Sequence, residues 1–273
     1  MCDIDRIKHE RDLEHELGRL PNTLKDSYDI VFERIQKPAP TSRKIAENAV
    51  KWLICAQQPL LKDEFLAAIS VHGDGDHMTV SSAQVLDMCC NLVILDPAMN
   101  DFRFAHLSVR EYFENHRGYS VTNAHSMATE RCLNLFIYDL EYATNSNPEF
   151  RLYAMLYWPA HFRYVEKQSM TRELENATSR FLLQVNAPRS PFSRWISAID
   201  AYRESSKIYN SMLPILDVSI SFPVTPLFVA SSTGLIQILE FIDYSDDINW
   251  EQRNRKDDTA LHLGAIFGHS TLA

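Results

Sequence analysis

A metal site is the first chemistry that the sequence suggests, in the segment HGDGDH at residues 72–77. Histidine and aspartate both bind divalent cations, and this segment holds two of each. Their order matches neither a calcium loop nor a zinc finger, so we expect an exposed turn without bound metal. The pairs His9-Glu10 and His15-Glu16 are six residues apart. That spacing puts the two histidines on different helix faces, and zinc is not expected there either.

A thiol nucleophile is a second hypothesis, based on Cys89, Cys90 and His106. Catalytic thiols need a lowered pKa, which a neighbouring positive charge provides. The segment around the two cysteines is apolar and holds no cation, so we expect both thiols to lie in the core. An odd number of cysteines without CxxC spacing is typical of reduced thiols in a cytoplasmic protein. The cysteines are Cys2, Cys55, Cys89, Cys90 and Cys132.

The short motifs by which many enzymes hold phosphates, nucleophiles or zinc are missing. The sequence lacks GxxxxGK[ST], GxGxxG, GxSxG and HExxH. Glycine is scarce, with 7 residues in 273, which disfavours the glycine-dependent loops of α/β enzymes. We therefore predict a non-enzymatic, mainly helical protein that uses no cofactor and no metal.

The charge distribution argues against nucleic acids and membranes as partners. Lys and Arg number 27 against 36 Asp and Glu, a formal net charge of −9, so no basic field attracts phosphates or anionic lipids. Between Lys62 and Arg103 the chain has no Lys or Arg and seven acidic residues. No apolar run is long enough to span a bilayer, and the N-terminus is too charged for a secretory signal. We expect a cytoplasmic protein.

The spacing of apolar residues predicts several short helices followed by a hairpin. Helices are expected over residues 24–35, after Thr41 or Ser42 as N-cap, from about Leu61, and after Ser81 or Ser82. The runs VILD and DFRFAHL around a proline turn predict two strands, the second ending at about Leu107. Ser108 and Glu111 then form the pattern of a capping box that starts another helix. This order is typical of a winged helix, which we place at residues 41–120.

The remainder of the chain divides into a helical linker at residues 121–222 and a repeat region at residues 223–273. The linker shows helical periodicity, and Pro159 is expected to kink or end its helix. The repeat region contains TPLFVASSTGL and TALHLGAIFGH. A period near 33 residues with a TPLH-type opening is typical of ankyrin repeats.

The two copies of the repeat are 34 residues apart. We predict one complete and one truncated repeat, in which threonine caps the first helix and glycine ends it. Because so few repeats cannot bury their stacking face, Leu261, Ile266, Phe267 and Leu272 are expected to stay partly exposed. The matching positions are Thr225 and Thr259, Leu227 and Leu261, Phe228 and His262, and Gly234 and Gly268.

Several segments resemble the C-terminal part of NACHT-type signalling NTPases, the NLR-like STAND proteins common in fungi. FRFAHLSVREYF at residues 102–113 is the most specific, because it is similar to the family's FxHxSxxEY/F signature. Residues 20–35 resemble the helix that closes the NTPase module. Residues 49–71 resemble the start of its winged helix, whose usual label mentions a GPI inositol-deacylase without implying that activity. YAMLYWPAH at residues 153–161 is typical of the helical region that follows.

The resemblance implies terminal helices of a NACHT module at residues 1–40 and ankyrin repeats at the C-terminal end. It implies functional positions at His106, Ser108, Glu111 and Tyr112, with His106 contacting the phosphates of bound ADP. The chain has no Walker A or Walker B segment. A sensing role for His106 therefore requires an intact NTPase core in cis or in trans, and otherwise this histidine fixes the start of the next helix.

The sequence thus favours a regulatory, non-enzymatic protein of the NLR-like class. Its winged helix would pack on a NACHT module, and its ankyrin surface would bind a protein partner. One alternative is part of a nucleotide-binding signalling NTPase whose catalytic core lies upstream. A second is a DNA-binding winged helix, which the acidic stretch before Arg103 disfavours.

Overall fold

The fold is mainly helical with one small antiparallel sheet in the described residues, which confirms the predicted fold class. The computed structural model describes residues 23–70, 79–138, 148–182, 189–205, 214–216, 225–243 and 249–269. The strands are β1 (Val93–Asp96) and β2 (Asp101–Phe104). The helices are α1 (Leu24–Gln36), α2 (Pro40–Cys55), α3 (Lys62–Ser70), α4 (Ser82–Met88), α5 (Leu107–Glu114), α6 (Val121–Tyr138), α7 (Pro148–Phe162), α8 (Arg172–Leu182), α9 (Pro191–Ser205), α10 (Pro226–Thr233), α11 (Ile236–Asp243) and α12 (Ala260–Ile266).

Local capping decides where the first helices begin. Thr23 caps α1 in a capping box with Asp26, and Ser81 caps α4, one of the two serines predicted for that position. The N-cap predicted for α2 at Thr41 or Ser42 is wrong, since Ala39 holds that position and Pro40 is the first helical residue. Proline suits that place because its missing N–H would have no partner in the first turn anyway.

The hairpin lies between α4 and α5, in the position of the wing of a winged helix. Val93 pairs with Phe104 and Asp96 with Asp101. The predicted strand end near Leu107 is wrong, because β2 ends at Phe104 and the chain turns toward α5 at once. Phe102 stacks on Phe65 of α3 with ring centroids 4.7 Å apart, which attaches the hairpin to the helices.

One continuous core joins the winged-helix segment to the helices that follow it. It extends from Ile35 in α1 to Ile238 in α11, and α6 packs against α2, α7 and α8. No helix in the described residues is both long and apolar enough to cross a bilayer. The largest fully buried side chains are Trp52, Trp158, Trp195, Tyr153, Phe65, Phe113, Phe136, Phe150, Phe162, Phe181, Phe192 and Phe228.

Pro159 lies inside α7, and the prediction that it could end the helix is wrong because α7 continues to Phe162. Proline has no N–H, so the carbonyl of Met155, four residues earlier, loses its usual helical donor. The buried indole of Trp195 in α9 donates its Nε1–H to this carbonyl at 2.9 Å. A tertiary hydrogen bond thus satisfies the acceptor that proline leaves open.

The two copies of the repeat start and end alike. Thr225 precedes α10, and its side chain accepts a hydrogen bond from the Phe228 N–H. Thr259 precedes α12, and its hydroxyl lies 2.7 Å from His262 Nδ1. The glycines that follow have the same left-handed backbone, with φ of 73° at Gly234 and 76° at Gly268.

Equivalent apolar positions of the two copies differ in burial. Leu227 is 4% exposed, whereas Leu261 is 60% exposed. Ile266 is also exposed and Phe267 is half-buried, as expected from the sequence, while Leu272 lies outside the described residues. None of the described residues covers this face of α12.

Replacing Trp195 by Phe is predicted to leave the Met155 carbonyl buried without a donor. That loss should lower the free energy of unfolding by about 1–3 kcal/mol beyond the smaller ring's packing loss. Urea unfolding followed by far-UV circular dichroism measures it. Adding Pro159→Ala to this variant restores a backbone N–H donor within the helix and should recover part of the lost stability. If no stability is recovered, the loss comes from packing alone and not from the Met155 carbonyl.

Replacing Gly234 by Ala should destabilise the repeat region more than replacing Gly268. Both substitutions force alanine into the left-handed region, at a cost of about 1–2 kcal/mol. Only at Gly234 would the new Cβ also meet the His269 ring, 2.6 Å from Nδ1, whereas at Gly268 nothing lies within 4 Å. Hydrogen exchange of peptides from residues 225–269 compares the two variants, and equal effects would contradict this reasoning.

Candidate functional site

The first candidate site lies where α5 begins, and His106 is its central residue. His106 is the N-cap of α5, with extended backbone, and its ring Nδ1 accepts the N–H of Ser108 at 3.2 Å. The hydroxyl of Ser108 lies 2.6 Å from the same nitrogen. The imidazole therefore takes the capping place that serine or aspartate usually fills.

These contacts determine the tautomer of His106. Because the backbone N–H of Ser108 points at Nδ1, that nitrogen carries the lone pair and the neutral ring holds its proton on Nε2. The Ser108 hydroxyl then donates to Nδ1 and accepts from the Tyr28 hydroxyl, which lies 2.7 Å away. His106 is exposed, so its Nε2–H is a donor available at the surface.

The capping box predicted from Ser108 and Glu111 is wrong. The helix starts two residues earlier than predicted, at Leu107 with His106 as cap, which places Ser108 inside the first turn. Its hydroxyl is held by His106 and Tyr28, and Glu111 is exposed. His106 therefore fixes the start of α5, which is the structural role that the sequence left open for it, and it does so through a ring nitrogen in place of the serine hydroxyl.

Tyr112 joins α5 to α1. Its hydroxyl donates to Asp29 Oδ1 at 2.7 Å, and its ring lies 5.4 Å from that of Tyr28. The hydrogen bond from Tyr112, followed by that from Lys25, lowers the pKa of Asp29. Burial and the Asp29 carboxylate raise the pKa of Tyr112, which stays protonated as the donor. Three of the four signature residues thus contact α1 or each other.

The other predicted sites have different outcomes. The segment at residues 72–77 and the pairs His9-Glu10 and His15-Glu16 lie outside the described residues. Cys89 is fully buried, and burial raises its pKa to about 12, which keeps it protonated and unreactive. Cys90 is only half-buried, and burial followed by the Asp87 charge raises its pKa too.

A second polar cluster, which the sequence did not reveal, lies between the winged-helix segment and the linker helices. His125 of α6 and His161 of α7 place their Nδ1 atoms 2.9 Å apart. The other nitrogen of His161 lies 2.8 Å from the Tyr153 hydroxyl, which accepts the backbone N–H of Gln57 at 2.9 Å. Gln57 lies two residues beyond the end of α2, so this chain of hydrogen bonds links the end of α2 to α6 and α7.

The direction of each hydrogen bond in this cluster follows from its first donor. Because the Gln57 N–H donates to Tyr153, the tyrosine hydroxyl proton points at His161 Nε2. His161 then carries its proton on Nδ1 and donates it to His125 Nδ1. Burial lowers the pKa of His125 to about 4, and burial followed by the charge of His125 lowers the pKa of His161. Both rings are therefore neutral near pH 7.

Cys55 belongs to the same cluster. It is the last residue of α2, is 3% exposed, and its thiol donates to the Ala124 carbonyl at 3.5 Å. One ligand atom each from Cys55, His125 and His161 all lie within 4.8 Å of one another. Tyr153 and His161 share a helix face at i, i+8 within YAMLYWPAH, a spacing that could have indicated part of the cluster, but nothing local links them to Cys55 or His125.

The comparisons with known proteins agree with this architecture in one segment. Residues 33–124 match the family model described as GPI inositol-deacylase, winged helix domain. This segment is a winged helix. No curated protein and no solved structure gives a significant match. In the winged helix, α2, α3 and α4 supply the helices and the β1–β2 hairpin supplies the wing, while His106 lies two residues after the wing.

Replacing His106 by Ala is predicted to lower the stability of the winged helix by about 1 kcal/mol, because the first turn of α5 loses its cap. His106→Asn should retain stability near that of the wild type, since asparagine is a strong N-cap. Thermal unfolding of the two variants makes the comparison. Equal loss in both would contradict a capping role and indicate that the ring's packing matters instead.

Proposed function

We propose that this chain is a non-enzymatic regulatory segment of an NLR-like signalling protein, whose winged helix docks on a NACHT-type NTPase module in cis or in trans. The observation that supports it is an exposed apolar edge beside the His106 cap. Leu107 is 65% exposed and Leu24 is 58% exposed. Exposed apolar surface that is contiguous often marks an interaction site in soluble proteins.

The two leucines border the same tertiary contact. Leu107 directly precedes Ser108, and Leu24 lies one helical turn before Tyr28 on the same face of α1. Tyr28 and Ser108 are hydrogen-bonded at 2.7 Å, so both leucines lie near the point where α1 meets α5. Together with the exposed Nε2–H of His106, this forms a surface with an apolar part and one hydrogen-bond donor, which we name the cap edge (Leu24, Tyr28, His106, Leu107).

The cap edge suits a protein that holds a nucleotide. A neutral imidazole with its proton on Nε2 can donate to a phosphate oxygen, and the leucines can pack against apolar residues around the nucleotide site. This supports the sensing role that the family resemblance implies for His106, given an intact NTPase core. The alternative assignment, part of a nucleotide-binding NTPase whose catalytic core lies upstream, uses the same contact.

The helix that a DNA-binding winged helix would place in the major groove is α4. Its sequence, SAQVLDM, carries Asp87 and no basic residue, and phosphate contacts require the opposite charge. The acidic stretch before Arg103 therefore includes the very helix that would have to contact the DNA phosphates. A protein partner suits the winged helix better than a duplex.

For residues 223–273 we propose ankyrin-type repeats that bind a protein partner. The matched threonine caps and left-handed glycines support this, as does a contact between the copies: His269 Nε2 lies 3.0 Å from the Ser232 carbonyl near the end of α10. Phe228 replaces the usual histidine in the first copy and is fully buried. It belongs to a small core with Leu227 of the same copy and with Ala260 and Leu263 of the second copy, so an apolar side chain at that place joins the two copies.

The docking proposal predicts a nucleotide-dependent complex. The probe is a purified NACHT module from a protein of the resembled family, loaded with ADP and titrated calorimetrically with the full 273-residue chain. Leu107→Asp should weaken binding about tenfold or more, as expected for loss of a central apolar contact. His106→Asn, which keeps the helix cap, should weaken binding to the ADP form more than to the nucleotide-free module.

Met99→Asp provides the matched control, because Met99 is 66% exposed and lies at the hairpin tip away from the cap edge. It should bind like the wild type. Equal weakening by Met99→Asp and Leu107→Asp, or no binding of the wild type, would contradict docking through the cap edge. The chain alone should show no ATP turnover.

A further inference from the structure

Cys55, His125 and His161 come together from three helices at the junction between the winged helix and the linker. Cys55 ends α2, His125 lies in the second turn of α6, and His161 lies near the end of α7. They are 3%, 4% and 0% exposed. Their ligand atoms lie within 4.8 Å of one another, so a single ion placed among them could contact all three.

We propose that Cys55, His125 and His161 form a buried, three-coordinate site for Cu⁺. A thiolate and two imidazoles are ligands that soft d¹⁰ ions prefer, whereas Mg²⁺, Ca²⁺ and Mn²⁺ require oxygen ligands. The set includes no carboxylate, which excludes those hard ions on chemical grounds. The site is independent of the docking proposed for the cap edge.

The spacing of the two histidines fits a shared ion after a small adjustment. Two imidazole nitrogens bound to one ion at about 2.0 Å each lie roughly 3.4 Å apart. The Nδ1 atoms of His125 and His161 are 2.9 Å apart. Binding therefore requires the rings to separate by a few tenths of an ångström, a movement that small rotations of the two side chains can supply.

Charge balance favours Cu⁺ over Zn²⁺ at this place. Cu⁺ with one thiolate and two neutral imidazoles has no net charge, whereas Zn²⁺ with the same ligands leaves a net positive charge in a desolvated interior. An uncompensated buried charge is strongly unfavourable. Zn²⁺ also prefers a fourth ligand, and among the described residues the cluster supplies three donors.

The protons balance without any redox step. Cu⁺ displaces the proton of the Cys55 thiol, which leaves as one H⁺ to solvent, and copper remains Cu⁺. His161 gives up the Nδ1–H that it shares with His125 and holds its proton on Nε2 instead. The Tyr153 hydroxyl keeps its proton but rotates it away from Nε2, so that its oxygen, 2.8 Å away, accepts the new N–H. A ligating imidazole usually donates its other N–H to such a partner.

The test is an anaerobic titration of the full chain with Cu⁺ against a chromophoric Cu⁺ chelator. All proteins carry Cys2→Ala, which removes the one cysteine that lies outside the described residues. We expect one equivalent of tightly bound Cu⁺ per chain. Cys55→Ala should bind Cu⁺ at least about 100-fold more weakly. Losing a group that is hydrogen-bonded to a metal ligand typically costs about 10–100-fold in metal affinity, and losing the ligand itself should cost more.

Cys89→Ala is the matched control, because Cys89 is also a buried thiol of the winged helix but is outside the cluster. It should retain wild-type Cu⁺ binding. His161→Gln, checked for folding by far-UV circular dichroism, should also lose binding, so the result does not depend on one variant. X-ray absorption at the copper edge should show one sulfur and two nitrogen neighbours.

Absence of stoichiometric Cu⁺ binding would overturn the proposal, as would equal binding by Cys55→Ala and Cys89→Ala. Zn²⁺ competing with Cu⁺ at equal concentration would overturn the assignment to a monovalent ion. A copper edge spectrum with sulfur neighbours only would place the ion at other cysteines and also overturn the proposed ligand set.

Discussion

The burial of Trp52 is the constraint on which most of the structure depends. This fully buried residue of α2 donates its indole N–H to the Ala68 carbonyl of α3 at 3.2 Å. On its other side it packs edge-on against Phe150, Tyr153 and His161, at centroid distances of 5.4, 5.6 and 5.7 Å. One side chain thus holds the winged helix together and attaches α7 to it.

Because α2 serves both parts, the winged helix is not a separate packing unit in this chain. The family match ends at residue 124, one position before His125, and α6 continues from there into the linker. A cut at the end of the match would remove the helices that cover Trp52 and the Cys55 cluster. The boundary of a recognisable sequence family and the boundary of the buried core therefore differ.

The two polar clusters have opposite exposure, and this difference determines what each can do. His106 is exposed and has one ring nitrogen free to meet a partner, because the other caps α5. His125 and His161 are buried, and burial keeps both rings neutral. A neutral buried ring is a poor general acid at neutral pH but a good ligand or hydrogen-bond relay. Histidine thus serves here both as an exposed hydrogen-bond donor, at His106, and as a buried link between helices, at His125 and His161.

Much of the fold could be predicted from local sequence. Apolar spacing predicted the helices and the hairpin, Ser81 was among the predicted caps, and the matched pairs Thr225 with Thr259 and Gly234 with Gly268 have matching backbones. These features depend on residues within a few positions of each other. Periodicity and capping chemistry describe such short-range interactions well.

Other features were decided by tertiary structure. Sequence alone determined that the protein is helical, acidic and without a phosphate loop. Only the folded chain decided that His106 caps α5, that Trp195 satisfies the carbonyl left open by Pro159, and that Cys55 meets His125 and His161. The reason is physical: these contacts join groups that are distant along the chain, and their geometry follows from how the helices pack around Trp52, which no local pattern records.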